Sequence, residues 1–321
     1  APTTTTAPTT TTAPTSPIVL GAMFFGTTVD ERTSFALLDR FVERGGMWID
    51  TADCYSFWTS ATGQGGDSEA VLGRWLASRP DARGKVRIAT KVGCEPLWPG
   101  SWPERSAGLS RRAVRDAFEG SLRRLGVDYV DLLWLHREDR QVPIEETVDA
   151  LGELTGDGRV LRVGASNHAA WRTERARRHA ADSATVPIDV LQLSASYLSP
   201  RPWTHPKGHP FGVLSAEQLD YAQTNGLEVW AYSPLLGGAY DNPAKQIPAE
   251  YDHPGTTQRL AALDEVADKL GTGRSEVVFA WLLKRGIRPM LGGSKLDQLD
   301  LAMDAALMDL PDDALDRLGA V

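Results

Sequence analysis

From residue 17 onward, short apolar runs alternate with longer stretches in which apolar positions recur every three or four residues. The short runs lie at 18–22, 47–50, 86–91, 129–135, 160–164, 189–193, 227–232 and 288–292. Most are apolar throughout, which is the pattern of parallel strands covered on both faces. The amphipathic stretches predict helices at 31–44, 68–77, 110–125, 144–155, 168–180, 215–224, 257–270 and 295–306. A further helix is expected at 274–284, before the last strand, and a final amphipathic piece at 311–318. Ser110 and Ser215 stand where N-caps belong, and Gly126 follows the basic turn of Arg123 and Arg124 as a helix stop.

Repeated strand–helix alternation implies an α/β protein with a parallel sheet, either open and doubly wound or closed into a barrel. An open dinucleotide-binding sheet needs a Gly-x-Gly-x-x-Gly turn after its first strand. Here that strand ends Gly21-Ala-Met-Phe-Phe-Gly26, and no Gly-x-x-x-x-Gly-Lys-Ser/Thr loop occurs elsewhere. The expectation is a single-domain (β/α)8 TIM barrel over residues 17–321. Residues 1–16 contain only Thr, Ala, Pro and one Ser, and read as a disordered low-complexity arm outside the fold.

Composition narrows the function classes. The net charge of -8 argues against a general nucleic-acid binder. No apolar run reaches the roughly 18 residues of a membrane helix. Two cysteines, Cys54 and Cys94, make neither a disulfide framework nor a paired-cysteine zinc site, and a reduced cytoplasmic protein is expected. The six histidines, at 136, 168, 179, 205, 209 and 253, show no strand-end pair with metal-ligand spacing, so no metal is expected.

The polar exceptions fall at strand ends. One run ends in Asp50 and is followed by Tyr55; the next ends in Lys91; the next ends in His136. In a barrel those ends share one face, where such folds carry their chemistry. Alone, Asp50 reads as a cap, Tyr55 as a rim residue, Lys91 as a solvated head on a buried stem, and His136 as a structural histidine. Together they suit carbonyl reduction. A tyrosine supplies the proton, a neighbouring ammonium lowers its pKa, an aspartate holds the ammonium, and a histidine orients the carbonyl oxygen.

Four stretches carry a family resemblance. Ile49-Asp-Thr-Ala-Asp-Cys-Tyr55, Ala89-Thr-Lys91, Ser121-Leu-Arg-Arg-Leu-Gly-Val-Asp-Tyr-Val-Asp-Leu-Leu-Trp-Leu-His136 and Gly164-Ala-Ser-Asn167 resemble the aldo-keto reductases. The resemblance implies Tyr55 as general acid, Lys91 and Asp50 as its tuning pair, and His136 as the carbonyl-orienting group. It implies NADP(H) as cofactor, with NAD(H) also compatible. Ser166, Asn167 and Gln192 would bond the nicotinamide carboxamide, and Tyr232 would stack on the ring. Ser233, Pro234, Leu235 and Gly237 would cradle the pyrophosphate. Ala22, Met23 and Asp50 would complete the nicotinamide side. Gly293, Ser294, Lys295 and Gln298 would hold the adenosine end.

The chain departs from the family in three places. The loop from Tyr55 to Ser68-Glu69 is longer, which is expected to reshape the substrate mouth. The spacing from Gln192 to Tyr197 is stretched, so no role is carried to Tyr197. Ser294-Lys295 stands where the family often has Gly-x-Arg, and Ala302 where an Asn would meet the adenine. Phe25, Trp58, Trp98, Trp102 and Trp203 are the candidate substrate residues, for a small carbonyl compound such as a sugar or aryl ketone. Trp134 and Trp230 read as core. The rival readings are a nucleotide-binding accessory or sensor subunit with little turnover, and a hydrolase, which would need a metal cluster or paired carboxylates.

Overall fold

The structure, a computed structural model, describes residues 16–202, 204 and 211–321. Apart from Ser16, the arm expected at 1–16 lies outside the described residues. Eight parallel strands close into a barrel in sequence order. They are β1 (Val19–Gly21), β2 (Trp48–Asp50), β3 (Arg87–Val92), β4 (Leu132–Leu135), β5 (Val163–Ser166), β6 (Ile188–Ser194), β7 (Glu228–Tyr232) and β8 (Ile287–Leu291). Around them run α1 (Glu31–Glu43), α2 (Asp67–Ser78), α3 (Ala82–Lys85), α4 (Arg111–Leu125), α5 (Ile144–Gly156) and α6 (Ala170–Asp182). The ring is completed by α7 (Ala216–Thr224), α8 (Pro254–Leu270), α9 (Arg274–Lys284), α10 (Leu296–Ala305) and α11 (Asp312–Gly319). Among the described residues, no helix is long and apolar enough to cross a membrane.

The expected caps form. Ser110 accepts the Ala113 N–H, Ser215 makes a reciprocal capping box with Gln218, and Gly126 ends α4 in the left-handed region. Two strands begin later than expected. Residues 129–131 and 160–162 meet only at the single bridge from Val130 to Val160. On the β4 side Asp131 takes the ladder's place: its carboxylate accepts the Ile88 N–H at 2.9 Å and pairs with Arg83, also at 2.9 Å. A side chain thus stands beside β3 where the extended ladder was expected. The unexpected α3 is a single turn, too short to show a period.

Two apolar layers follow from the pleat. Alternate strand residues such as Leu20, Ile49, Ile88 and Leu133 are buried in the larger core, which the helices cover. The other set, Val19, Trp48, Ala89, Leu132, Trp134, Val190, Trp230 and Met290, forms a separate cluster inside the barrel. Trp230 meets Trp48 and Trp134 edge-on, with ring centroids 5.1 and 5.2 Å away. Gly164 makes this possible. A Cβ there would lie 2.3 Å from the Trp134 ring and 3.0 Å from Val190.

Gly164→Ala is therefore expected to overpack the barrel and lower stability by ~1–3 kcal/mol. Thermal denaturation checks it; an unchanged midpoint would mean that Trp134 can shift without cost.

Candidate active site

Side chains two residues apart on a strand point the same way. The residue two beyond each interior position therefore faces the mouth of the barrel. Asp50 follows Trp48, Lys91 follows Ala89, and His136 follows Trp134. Likewise Ser166 follows Gly164, Gln192 follows Val190, and Tyr232 follows Trp230. All except Lys91 line one cleft of about 980 Å³ that opens on this face. Lys91 lies beneath it, fully buried.

Lys91 is the hub. Its ammonium donates to Asp50 Oδ2, to the Thr51 carbonyl at 2.9 Å, and to the Tyr55 phenol oxygen at 2.8 Å. Asp50 accepts two more bonds on Oδ1, from Trp134 Nε1 at 3.0 Å and Gln192 Nε2 at 3.1 Å. Burial pushes the Asp50 carboxyl up and the Lys91 ammonium down, and each group's charge opposes the other's shift. An ammonium has only protons to give, so the Tyr55 oxygen accepts from Lys91. The phenol's own proton is left to point elsewhere. Burial, and then the Asp50 charge, push the phenol well above its ordinary range. This corrects the expectation of a lowered pKa: Tyr55 is a protonated phenol, with Lys91 placed to favour the phenolate once the proton has gone.

His136 stands against Tyr55 with ring centroids 5.7 Å apart and planes at 79°. Its Nδ1 lies 3.4 Å from Cys54 Sγ, and its carbonyl accepts from Asn167 Nδ2 at 2.9 Å. Asn167 has a positive φ of 57°. Its second amide proton goes to Ser166 Oγ at 3.0 Å, and Tyr232 donates to its Oδ1 at 2.8 Å. The amide is thereby held with one acceptor lone pair left over. His168, next along, is buried, and its Nδ1 sits 2.7 Å from the Ser166 carbonyl. This turn inward delays the start of α6 to Ala170.

Residues 17–321 match the profile described as the Aldo/keto reductase family. The chain belongs to that family. It is 30% identical to an uncharacterized oxidoreductase, YrpG, of Bacillus subtilis, over 95% of this chain and 92% of the relative. It is also 30% identical to the norsolorinic acid reductase stcV of Emericella nidulans, over 94% of this chain and 76% of the relative. An aryl-alcohol dehydrogenase of Pestalotiopsis microspora is 27% identical, over 92% and 76%. The chain is an oxidoreductase of this family.

In this aldo/keto reductase the cleft runs from the barrel mouth past the β7 loop to α10. Met23, Ser233, Pro234, Leu235, Gly237, Ser294 and Gln298 all lie on its wall. Several other expected residues do not. Ala22 is fully buried, with its N–H on the Asp50 carbonyl and its carbonyl taken by Ser68. Gly293 is tucked beneath Leu291. Lys295 is exposed at the N-cap of α10, off the cleft wall. The N–H groups of Leu236 and Gly238 bond to Ser233 and Leu235 inside the turn, so fewer remain for a phosphate than the sequence suggests.

The substrate expectations need more correction. Phe25 packs into the core, because a tight turn from Ala22 and a bridge to Val29 point it inward; its neighbour Phe24 faces the cleft instead. Trp98 projects outward, 53% exposed, and is absent from the cleft wall. Trp203 lies outside the described residues. Trp58 and Trp102 do line the cleft, joined by Phe24 and Phe57. Phe57 meets Trp58 at 5.0 Å and Trp102 at 5.9 Å, and Phe24 meets Trp58 at 6.4 Å. Tyr197 is buried against Trp281 and donates to the Leu318 carbonyl, away from the site. Sequence reasoning missed Lys245, a cationic residue of the cleft wall whose ammonium donates to the Gly237 carbonyl. It sits in a loop with no periodicity to announce it.

Burial holds the His168 imidazole down to about 4, from an ordinary 6.5. The ring is neutral in the fold, so the unfolded chain takes up a proton first as pH falls from 6.5 toward 4. Folding stability present above pH 6.5 is lost across that window, by ~3 kcal/mol for this group. Denaturant unfolding at pH 7 and pH 4 should show a smaller loss for His168→Gln than for the parent chain. Equal losses would refute a neutral buried ring.

Proposed function

We propose that this enzyme reduces an aldehyde or ketone to the alcohol, using NADPH, at a reaction centre formed by Tyr55, Lys91, Asp50 and His136. The observation that carries the reading is the 2.8 Å bond from Lys91 to the Tyr55 oxygen, made beneath a cleft of dinucleotide size. Tyr55 is the proton donor. Its proton is free of Lys91, and the phenolate it leaves receives that ammonium's hydrogen bond. His136 orients the carbonyl oxygen between its ring and the phenol. Asp50 keeps Lys91 charged.

The polar groups under the mouth fit a carboxamide. Asn167 retains one acceptor lone pair, Ser166 a hydroxyl proton, and Gln192 its carbonyl and second amide proton. Tyr232 lines the same space, with its hydroxyl donating to Asn167 Oδ1. The bound nicotinamide supplies the hydride. Lys245 would supply charge toward the pyrophosphate, and Ser294 and Gln298 on the cleft wall would meet the adenosine ribose; Lys295, off that wall but next to Ser294, would swing in to reach a 2′-phosphate. The aromatic wall of Phe24, Phe57, Trp58 and Trp102 supports an aryl ketone or aldehyde as substrate, in keeping with relatives named norsolorinic acid reductase and aryl-alcohol dehydrogenase. Both cysteines are buried and free, which suits a reducing cytoplasm.

Fluorescence titration with NADPH and NADH, followed by absorbance decay on a panel of aryl and aliphatic carbonyls, tests the reading. Tyr55→Phe keeps the Lys91 bonds to Asp50 and Thr51. It is expected to lower kcat by roughly 10²–10⁴ while leaving NADPH affinity nearly intact. Turnover preserved in the variant would overturn the role of Tyr55. Lys295→Met is expected to weaken NADPH about tenfold and NADH hardly at all, since about 1.4 kcal/mol corresponds to one decade. Equal effects on both nucleotides would remove Lys295 from the 2′-phosphate.

A further inference from the structure

Asp53 is the least satisfied polar group near the cleft. It is 4% exposed, and neither carboxylate oxygen has a hydrogen-bond partner. A buried carboxylate in this state needs a cause. Its neighbours make the situation harsher. Glu69 and Glu95 face it with like charge, and Arg124 is the cation set against them. Arg124 is already bound to Glu69 at 2.7 Å, and Glu95 already accepts the Gly65 N–H at 2.9 Å. Three carboxyl groups thus share one guanidinium, and burial with the Glu69 and Glu95 charges pushes Asp53 well above the usual carboxylate range, toward the neutral acid.

Two better ligands stand beside that carboxylate. Ligand atoms of Asp53, Cys54 and His136 all lie within 4.8 Å of one another. The Cys54 Sγ to His136 Nδ1 distance is 3.4 Å. Two ligands on a tetrahedral zinc ion, with bonds of about 2.3 Å to sulfur and 2.0–2.1 Å to nitrogen, lie about 3.6 Å apart. The thiol and the imidazole already have the bite that such an ion requires. With all three ligand atoms within 4.8 Å of one another, the carboxylate has at most about 1 Å to close on that same bond geometry, and no side-chain donor holds it back; the Cys54 N–H is the backbone group that favours its charge. Cys54 and His136 line the cleft, so an ion can enter by the mouth.

We propose that Asp53, Cys54 and His136 form a site for a borderline-soft divalent cation such as zinc, and that filling it stops carbonyl reduction. This runs against the absence of a metal expected from histidine spacing, because the ligands are of three kinds and lie on two loops. On binding, the Cys54 thiol and the buried Asp53 carboxyl each release a proton to solvent, and the thiolate sulfur and a carboxylate oxygen take the ion; no electrons are transferred. The fourth position opens into the cleft, where the carbonyl oxygen is to sit. His136 is pinned by the ion and cannot follow that oxygen. The inhibition rests on the role given to His136 above, whereas the binding does not.

Cobalt(II) separates the two. Chelator-treated full-length protein is titrated with Co²⁺ and followed by absorbance. The expected result is one equivalent giving a thiolate-to-cobalt charge-transfer band and tetrahedral visible bands, all erased by Zn²⁺. Cys54→Ala should lose the charge-transfer band, Asp53→Asn should need at least tenfold more Co²⁺, and Cys94→Ala should keep it. No band in the parent chain, or an unchanged band in Cys54→Ala, overturns the site. In the reductase assay, each protein is compared with itself with and without Zn²⁺; the parent should lose most of its rate, recover it with EDTA, and be protected by Cys54→Ala. Cobalt binding without inhibition by zinc would overturn the inhibitory role while leaving the site. A protein that gives the cobalt spectrum but reduces no carbonyl would fault the proposed activity and not the site.

Discussion

The Lys91 ammonium is the atom on which both the barrel mouth and its chemistry depend. It is fully buried, and its three protons are matched by three acceptors: a carboxylate, a backbone carbonyl and a phenol. Removing either member of such a pair costs roughly 3–5 kcal/mol, because the survivor is left buried and charged. The arrangement reaches further than the pair. Asp50 on β2 also accepts from Trp134 on β4 and Gln192 on β6, so one carboxylate ties four strands together above the packed interior. The position of the Tyr55 proton follows from the same geometry, since a donor-only neighbour leaves that proton free.

What keeps this polar knot in place is the apolar layer one pleat below it. Three indoles fill the barrel interior, and the absence of a side chain at Gly164 gives Trp134 the space to do so. Trp134 then presents its Nε1 upward to Asp50. The layer is a closely packed apolar floor, so the groups above it can turn only toward one another and the cleft. Packing and electrostatics are here one design: the indole that fills the core is also the hydrogen-bond donor that helps keep Asp50 ionised.

Much of this was legible in the chain. Asp50, Lys91, His136, Ser166, Gln192 and Tyr232 stand within two residues of strand ends, where a period of two determines which side chains face the mouth. The apolar runs marked eight strands because parallel strands are buried on both faces. Legibility failed where neither period applies. Phe24 and Phe25 are adjacent and chemically alike, and only the turn from Ala22 decides which of them faces the cleft. Trp98 and Trp102 belong to one loop, yet one points to solvent and the other to the site. The pKa direction of Tyr55 also escaped, because it depends on how fully the phenol is buried, which no local pattern reports.

The long loop after Tyr55 shows how loop order is obtained without regular structure, and what it leaves behind. Gly65 comes so close to the start of the loop that a Cβ there would lie 2.3 Å from the Asp53 carbonyl. Its N–H is held by the Glu95 carboxylate, and Gln64 reaches the Pro96 carbonyl at 3.2 Å. These contacts staple the loop to the one after β3 and set Phe57 between Trp58 and Trp102. The staple needs a carboxylate at Glu95. That carboxylate and Glu69 add to burial in pushing the Asp53 carboxyl up, with Arg124 opposing them. The aromatic wall and the unsatisfied carboxylate beside Cys54 are therefore two results of one choice, the use of an acid to anchor a glycine.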